Sequence, residues 1–572
     1  MNITWQIAGS VAPALSTDEL RDLLLAQREI QDFDAFVNPR YERDVHDPQQ
    51  LADMPAAVDR IYKAVVDKEH IVVYGDYDAD GVTSTAILVS VLEKLGAQVT
   101  PFLPHRSEHG YGLHSAVIKE IAEDIGLVVT VDCGVSNAAE IEDLLKAGVD
   151  TVVVDHHTIP DPLPAAHAII HPAHPDAEYP FPHLCGAGAA WKLAQAILRD
   201  DRSPAADNPD EEKWLLDLAA LGTIADLVPL VGENRAIVQF GLEVLRRSPR
   251  PGVRALLAAG RIDTAQLSAK DLSWRAIPLI NAAGRMDHAQ PALELLLATD
   301  DEQADIALAK IKQLDSRRRN ATKQVTDEAL AQVDPDSAVA FAHNDSWPAG
   351  IVGLVANQLL RKFERPALVM GDGGQFAIGS VRTPDHVNAV DLLASASDVL
   401  VKFGGHARAA GFTITPPNIP KFLDTVAATT RDLAANAVVA QEEAAAILAH
   451  DLLTMDTAQL VQQFAPFGKG NEEPRFVIKN LLLRDWRPVG KSGDHAKVTF
   501  QVSDHPLDGI AFGLADRFRD NRLTDKHVDV LGQLEVNEWR GRKTLQLAVQ
   551  DIAIAGTVGI KATNHEHARH AV

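Results

Sequence analysis

Three apolar, β-branched runs in the first third of the chain each end in acid: IVVYGDYDADG (residues 71–81), LVVTVDCG (127–134) and TVVVDHH (151–157). Runs of this length and composition read as strands buried on both faces. Residues 83–96 form a helical pattern after the first run, and a second helix follows the second, with Ile141, Leu144 and Leu145 inward and Gly148 as its stop. Strand–helix–strand–helix–strand at this spacing specifies a parallel, doubly wound sheet. In such a sheet all strand C-termini lie at one edge, where open α/β folds bind ligands. Asp76, Asp78, Asp80, Asp132, Asp155, His156 and His157 are therefore expected to share one crevice.

Simpler readings explain less of this pattern. The spacing Asp76-x-Asp78-x-Asp80-Gly81 copies the start of an EF-hand loop, but the twelfth position is Ile87 rather than Glu and a strand precedes instead of a helix. One aspartate capping the helix near Thr83 would explain a single carboxylate. A crevice lined by this many carboxylates, with no Lys or Arg among them, would drive its own members to protonate. Divalent cations resolve that repulsion. Carboxylates with one or two imidazoles and no thiolate favour Mn²⁺ or Mg²⁺ over structural Zn²⁺.

Composition narrows the class. At 572 residues the chain exceeds one hydrophobic core, and about three domains are expected. With Asp+Glu 79 against Lys+Arg 54, a net −25, the chain does not coat nucleic acid through a generally basic surface, although a local basic groove is compatible with it. Two cysteines, Cys133 and Cys185, suggest no disulfide framework, and MNITWQIAGS has neither the basic start nor the apolar core of an export signal. No run approaches a membrane span, so a cytoplasmic protein is expected.

Further along, residues 214–225 read as an apolar helix able to deliver Asp226 from its end, and 305–333 as a long helix carrying Arg317, Arg318 and Arg319. That basic turn reads equally as a solvated face or as a DNA lining. From Ala338 the α/β alternation restarts, closed by an alanine-rich stretch, 427–450, expected to be helical. From Arg475 short alternating strands follow, with Val528, Val530, Leu534, Val536, Leu545, Leu547 and Val549 inward, which fits a small barrel of OB-fold type. Its hairpin NEWRGRK carries Trp539, Arg540, Arg542 and Lys543, an aromatic beside cations, as single-strand stacking surfaces require. An ordinary hairpin tip accounts for it equally well from the residues alone.

These motifs carry a family resemblance. DYDADG, Asp132 after a strand and Asp155-His156-His157 resemble the DHH phosphoesterase superfamily, and within it the RecJ family of single-strand-specific DNA exonucleases. LGTIADLVPL around Asp226, NAAGRMD around Arg285, GSVRTP around Arg382 and GGHARAAGF (404–412) continue the match, the last resembling the glycine-rich motif of DHHA1 domains. The resemblance covers roughly 40–555, and with the helical pattern of the connector it gives an N-terminal segment 1–45, a DHH catalytic domain 46–304, a connector helix 305–335, a DHHA1 domain 336–455 and an OB-fold 456–555; the tail 556–572 has no apolar period and is expected to be disordered. It implies one metal on Asp78 and Asp132 and another on Asp80, Asp132, His156 and Asp226, with Asp132 bridging. Relatives place a His where this chain has Tyr74, so Asp76 or water would supplement the first metal.

Asp155 is expected to orient an imidazole, and His157, Arg106, Arg285, Arg382, Gly405 and His406 to meet the substrate phosphates. The implied activity is 5′→3′ hydrolysis of single-stranded DNA to mononucleotides with two Mn²⁺ or Mg²⁺ ions, in DNA repair and recombination, by a monomer working with a single-strand-binding protein and a helicase. Two rivals share the residues: a DHH phosphodiesterase for nanoRNA or a cyclic dinucleotide, which lacks the barrel, and an inactive DNA-binding scaffold, which has no need of the full acidic set.

Overall fold

The computed structural model describes residues 4–8, 13–14, 16–106, 108–114, 117–118, 124–208, 210–435, 442–521, 523–539 and 541–563. They form two compact units, one of residues 41–440 and one that joins residues 1–40 to 441–572. The chain opens with strands β1 (Thr4–Ala8) and β2 (Pro13–Ala14), which belong to the second unit.

The first unit is built on a five-stranded sheet of β3 (His70–Tyr74), β4 (Gln98–Phe102), β5 (Ile125–Val131), β6 (Asp150–Val154) and β7 (Ala168–Ile170), in the order β4-β3-β5-β6-β7 and parallel throughout. The acids follow the ends of β3, β5 and β6 and so share one edge, as the strand pattern requires. Helix Ala79–Lys94 leaves β3 after the Asp-rich turn and is buried along nearly its whole length, which explains why it is apolar on most sides. Gly186–Arg199 and Leu216–Ala225 pack against it, the second ending at Asp226.

Helix Gly186–Arg199 also holds a fully buried charge. Lys192 is fully buried and pairs with Glu233, which in turn accepts from the Tyr179 hydroxyl and, at 3.0 Å, the His46 N–H. Lys192 donates to the His46 carbonyl at 2.6 Å, so the network ties the start of the domain to its helical layer. Burial pulls the lysine pKa down, opposed by the Glu233 charge.

Helix Asp301–Gln332, capped by Asp300, leads into a mixed sheet of β8 (Ala340–His343), β9 (Ala367–Gly373), β10 (Phe376–Arg382), β11 (Leu400–His406) and β12 (Ala409–Ile414), ordered β11-β12-β10-β9-β8. Only β8 and β9 run parallel. Within the basic turn of the long helix, Asp315 is buried and pairs with Arg318 at 2.7 Å and with Arg319, while Arg317 is exposed. The turn is thus neither wholly solvated nor a free basic lining.

The second unit contains the barrel. After β13 (Glu442–Ala444) and β14 (Ala446–Leu448) come β15 (Phe476–Val489), β16 (His495–Val502), β17 (His505–Ala511), β18 (His527–Trp539), β19 (Arg542–Ile554) and β20 (Gly559–Thr563). Strands β15 to β19 close in the order β15-β16-β17-β19-β18-β15, with β17 and β19 parallel, which is the OB topology. Val528, Val530, Leu534, Leu547 and Val549 are buried inside it, and Val536 and Leu545 partly so.

Three expectations are corrected here. The alanine-rich stretch 427–450 is not one helix: the helix Ile419–Ala435 ends early, and β13 and β14 pair with β1, β2 and β15. Parallel pairing to distant strands overrides the alanine propensity. The tail expected to be disordered from 556 contributes β20, in parallel register with β1, leaving 564–572 outside the described residues. The segment 1–45 is not separate either: Trp5 is buried, donating Nε1 to Asp551 at 3.1 Å, and the unit boundary falls after residue 40.

Replacing Lys192 with Met would leave the Glu233 carboxylate buried without its counter-ion. The expected cost is about 3–5 kcal/mol, read as a fall in the urea midpoint of the 41–440 unit. An unchanged midpoint would mean that the pair contributes nothing.

Candidate active site

The Asp-rich turn does two jobs at once. Asp78 is the N-cap of Ala79–Lys94, its Oδ1 accepting from Asp80 N–H at 2.9 Å and Gly81 N–H at 3.2 Å, so the capping reading holds for this one carboxylate. Asp80, the second residue of that helix, is buried and accepts from the N–H groups of Gly186 and Ala187, both at 2.8 Å, at the start of helix Gly186–Arg199. Asp132 follows β5 with φ +60°, a conformation that a non-glycine residue adopts at some cost. Helix approach depends on two glycines: a Cβ on Gly186 would lie 2.6 Å from the Asp132 Cβ, and one on Gly222 2.5 Å from Asp80 Oδ1.

These elements bring the acids into overlapping trios, Asp76/Asp78/Asp132, Asp80/His156/Asp226 and Asp132/His156/His157, each offering ligand atoms within 4.8 Å of one another. His156 Nε2 lies 3.1 Å from Asp132 Oδ1, 3.7 Å from Asp226 Oδ2 and 3.9 Å from Asp80 Oδ2. Asp155 belongs to no trio. Its Oδ1 accepts from His156 N–H (2.7 Å), His157 N–H (3.1 Å) and His157 Nδ1 (2.8 Å), and its Oδ2 from Val135 N–H (3.0 Å). It therefore fixes the turn that presents both imidazoles.

The electrostatics are those of a cation site. Burial, then the neighbouring Asp78 charge, pushes Asp76 up to about 8, and the same two causes push Asp80 to about 6. Asp132 is driven well above the carboxylate range by burial and by Asp80, Asp78, Asp76 and Asp226. Asp76 Oδ1 is buried with no hydrogen-bond partner. Burial, with the charge of His157, holds His156 down at about 3, a neutral imidazole with a lone pair to give. Burial also works against charge on His157, but the Asp155 hydrogen bond and charge outweigh it and raise the ring to about 9. Burial favours the neutral acid at Asp155, yet His157 and His156 outweigh it and keep Asp155 ionised. Oxygen-rich, partly orphaned and mutually repelling, the donor set fits hard divalent cations.

Tyr74 is a core residue, its hydroxyl donating to the Gly112 carbonyl at 3.1 Å and its ring against Phe102. Burial, then the charges of Cys133 and Asp76, raise the pKa of the Tyr74 hydroxyl, and Asp76 completes the group with Asp78 and Asp132.

Beside the acids stand guanidiniums. Arg106 lies 3.9 Å over the Tyr77 ring and donates to the Gly284 carbonyl at 3.2 Å. Arg285 reaches the Gly350 carbonyl at 3.4 Å, and Arg382 donates to Ser380 Oγ at 2.7 Å and the Val381 carbonyl at 2.9 Å. Among the described residues none of the three pairs with a carboxylate. Burial, then Arg106, pushes Arg285 down to about 9, with Arg318 and Arg382 adding repulsion and Asp78 opposing it. Burial lowers Arg382 as well. Gly405 has φ +146° where β11 runs against β12, and the charge of His406 on β11 acts on His156. Arg106 and Arg285 come from the first α/β domain and Arg382, Gly405 and His406 from the second, all within one unit.

The Gly186 N–H is the member of this site that no sequence motif marks; Asn281, whose Oδ1 accepts from Ala79 N–H at 3.0 Å, and Ser380 lie inside the motifs NAAGRMD and GSVRTP without being singled out there, and Arg318 acts on Arg285 from the long helix. Tyr111, whose hydroxyl lies 3.0 Å from His157 Nδ1, sits in the same PHRSEHGYG segment as Arg106. At the barrel hairpin Trp539 pairs with Arg542 across the turn, Lys543 lies 3.8 Å from Glu538, and Arg540 is outside the described residues.

A doubly wound sheet with acids at its C-terminal edge, a second α/β domain and an OB barrel together define a phosphoesterase of the DHH class. Residues 70–223 match the N-terminal domain of the DHH family, 336–432 the DHHA1 domain and 445–551 the RecJ OB domain. The chain belongs to the RecJ family. It is 34% identical over 560 residues to the single-stranded-DNA-specific exonuclease RecJ of Dickeya dadantii, covering 92% of this chain and 95% of that protein. It is 35% identical over 523 residues to the RecJ of Bacillus subtilis, covering 90% of this chain and 65% of that longer protein. The crystal structure of RecJ from Thermus thermophilus in complex with Mn²⁺ superposes with a TM-score of 0.81 at 30% identity, covering 98% of this chain and 80% of that one. A second structure of that protein, in complex with Mg²⁺, gives 0.75 at 27% identity. Among the described residues no helix is long and apolar enough to cross a membrane.

The raised carboxylates set a pH dependence. Asp76 at about 8 and Asp80 at about 6 lie above the unfolded value of 3.8, so without cation their contribution to stability is complete below the unfolded value and is lost as pH rises through about 6 and about 8. Mn²⁺ displaces the protons and removes that loss. The melting-temperature gain on adding Mn²⁺ is therefore expected to be larger near pH 8 than near pH 6; an equal gain at both would contradict the site's electrostatics.

Proposed function

We propose that this chain is a Mn²⁺- or Mg²⁺-dependent exonuclease that hydrolyses single-stranded DNA to mononucleotides. The carrying observation is the juxtaposition of the Asp76/Asp78/Asp132 and Asp80/His156/Asp226 groups, linked through the 3.1 Å contact of Asp132 with His156, with three guanidiniums from two domains that, among the described residues, pair with no carboxylate. Asp76, Asp78 and Asp132 would hold one cation, and Asp80, Asp132, His156 and Asp226 the other. When bound, such a pair supplies an activated water and neutralises charge on the phosphoryl oxygens.

The chain's own groups do the rest. Asp155 holds the His156–His157 turn rigid, and by fixing Nδ1 of His157 it leaves Nε2–H of an imidazolium as a donor to the phosphoryl group. Arg106, Arg285 and Arg382 bind phosphate in the cleft between the two α/β domains, where low solvent exposure strengthens each contact. Gly405 lets the backbone beside His406 approach the strand. The 5′→3′ polarity, a role in DNA repair and recombination, a cytoplasmic monomer, and a single-strand-binding protein and helicase as partners are readings supported by the family resemblance. Family membership along the whole chain, barrel included, favours this substrate over nanoRNA or a cyclic dinucleotide.

Single-stranded and duplex DNA labelled at either end, incubated with Mn²⁺, test the activity directly: mononucleotides released from the 5′ end of the single strand alone support it, and release from duplex or 3′ ends contradicts it. Asp132→Ala is expected to abolish hydrolysis with the fold retained. Arg285→Ala and Arg382→Ala are expected to lower kcat by about 10²–10³, the scale of losing one donor to the transition state, while bound Mn²⁺ measured by elemental analysis stays at the wild-type level. Unchanged kinetics in both arginine variants would place the substrate elsewhere.

The barrel separates this reading from its small-substrate rival. Because β1 and β2 pair into the C-terminal unit, the fragment to compare is 41–440, not a simple C-terminal truncation. That fragment is expected to cleave very short oligonucleotides yet bind long strands at least about thirtyfold more weakly, the cost of two lost base stacks. Equal long-strand affinity would favour the rival.

A further inference from the structure

The turn that presents His156 and His157 is gripped from two sides. On one side Asp155 Oδ1 takes the N–H groups of both histidines. On the other stands the end of β7, the edge strand of the five-stranded sheet, which brings no acid to the site. The Ile170 carbonyl, at the last residue of β7, accepts the Asp155 N–H at 3.1 Å, where the turn begins. His171, the next residue, meets the turn where it ends: its Nε2 lies 2.8 Å from the His157 carbonyl oxygen.

That contact and one other assign the ring. A carbonyl oxygen only accepts, so Nε2 of His171 carries the proton. Nδ1 agrees, because it accepts the Ala173 N–H at 3.0 Å and must be bare to do so. His171 is 2% exposed and belongs to none of the trios. Burial holds its pKa below the ordinary imidazole value, opposed by the hydrogen bond to His157. A neutral ring suits the place, since a second imidazolium here would oppose the charge that Asp155 confers on His157.

The two grips divide the turn between them. Asp155 fixes the N–H groups of residues 156 and 157 and the Nδ1 edge of the His157 ring, whereas His171 fixes the peptide that leaves His157. Without the second grip that peptide is free to rotate, and the His157 ring moves with it. A shift of the order of 1 Å in a group that meets the reacting phosphate can cost about 10²-fold in rate.

We infer that His171 is a positioning residue of the active site, donating Nε2–H to the His157 carbonyl and so holding the His157 imidazole in its place. The inference rests on the exonuclease reading and adds to it a residue that acts through His157 alone. Its loss therefore falls on His157 and spares His156, the proposed cation ligand in the same turn.

The test uses the full chain with Mn²⁺ and a single-stranded oligonucleotide. His171→Leu is expected to lower kcat by about 10–100-fold, the scale on which partners of active-site groups act, with KM and bound Mn²⁺ at the wild-type level. His171→Gln, whose amide can donate to the same carbonyl, should recover most of that loss. Adding His171→Leu to His157→Ala should change kcat by less than about twofold, because the residue through which His171 acts is already gone. Independently of activity, ¹⁵N spectra of histidine-labelled protein near pH 7 should contain a neutral Nε2–H ring whose signals vanish in His171→Gln. Should His171→Leu not fold, the Gln variant and the tautomer decide. Unchanged kcat in His171→Leu, loss of Mn²⁺ in step with kcat, additive losses in the double variant, no recovery in His171→Gln or an Nδ1–H tautomer would each overturn this role and leave the exonuclease reading standing. A wild-type chain that degrades no single strand would overturn both.

Discussion

Like-charge repulsion among buried carboxylates is the constraint around which the catalytic unit is arranged. Two neighbouring parallel strands, β3 and β5, deliver Asp76, Asp78, Asp80 and Asp132 into one water-poor edge, and each ionised group there makes the next more costly. The chain meets part of that cost with backbone. Asp78 is engaged as a helix cap, Asp80 takes two N–H groups at a helix start, and Asp155 is enclosed by four donors. What remains, including an Asp76 oxygen with no partner, is the part that cations are expected to satisfy.

The opposite problem lies alongside. Arg285 and Arg382 are partly buried and, among the described residues, pair with no carboxylate; Arg285 is repelled by Arg106 and Arg382, with only the Asp78 charge opposing. Buried cations left unpaired in this way fit an anionic ligand whose charge completes them. Acids and arginines therefore form two incomplete halves, one matched to divalent cations and the other to the phosphates those cations act on. A net charge of −25 is compatible with an anionic ligand at this site because Arg106, Arg285 and Arg382 stand beside the acids.

Much of this was legible before the structure, for reasons specific to the residues. Parallel strands announce themselves through β-branched runs without alternation, and the acid at the end of each run then has only one place to go. Asp226 was legible because an apolar helix ends on it. Other features depend on partners hundreds of residues away, which no local pattern encodes. The run EEAAAILAH has helical propensity, yet it becomes β13 and β14 because β1, β2 and β15 offer edges to pair with. β20 looked like an unpatterned tail because its partner is β1. Gly186 and Asn281 act through close tertiary approach to Asp132 and Ala79, and nothing in GAGAAW or PLINAAG distinguishes that from ordinary helix packing.

The central claim is that the carboxylate trios are two cation sites joined by Asp132. Anomalous scattering at the manganese edge from crystals of the full chain grown with Mn²⁺ addresses it without recourse to activity. The account predicts two peaks, one bounded by Asp76, Asp78 and Asp132 and the other by Asp80, His156 and Asp226, with Asp132 touching both. A single peak that does not touch Asp132, or no peak at this edge of the sheet, would contradict it.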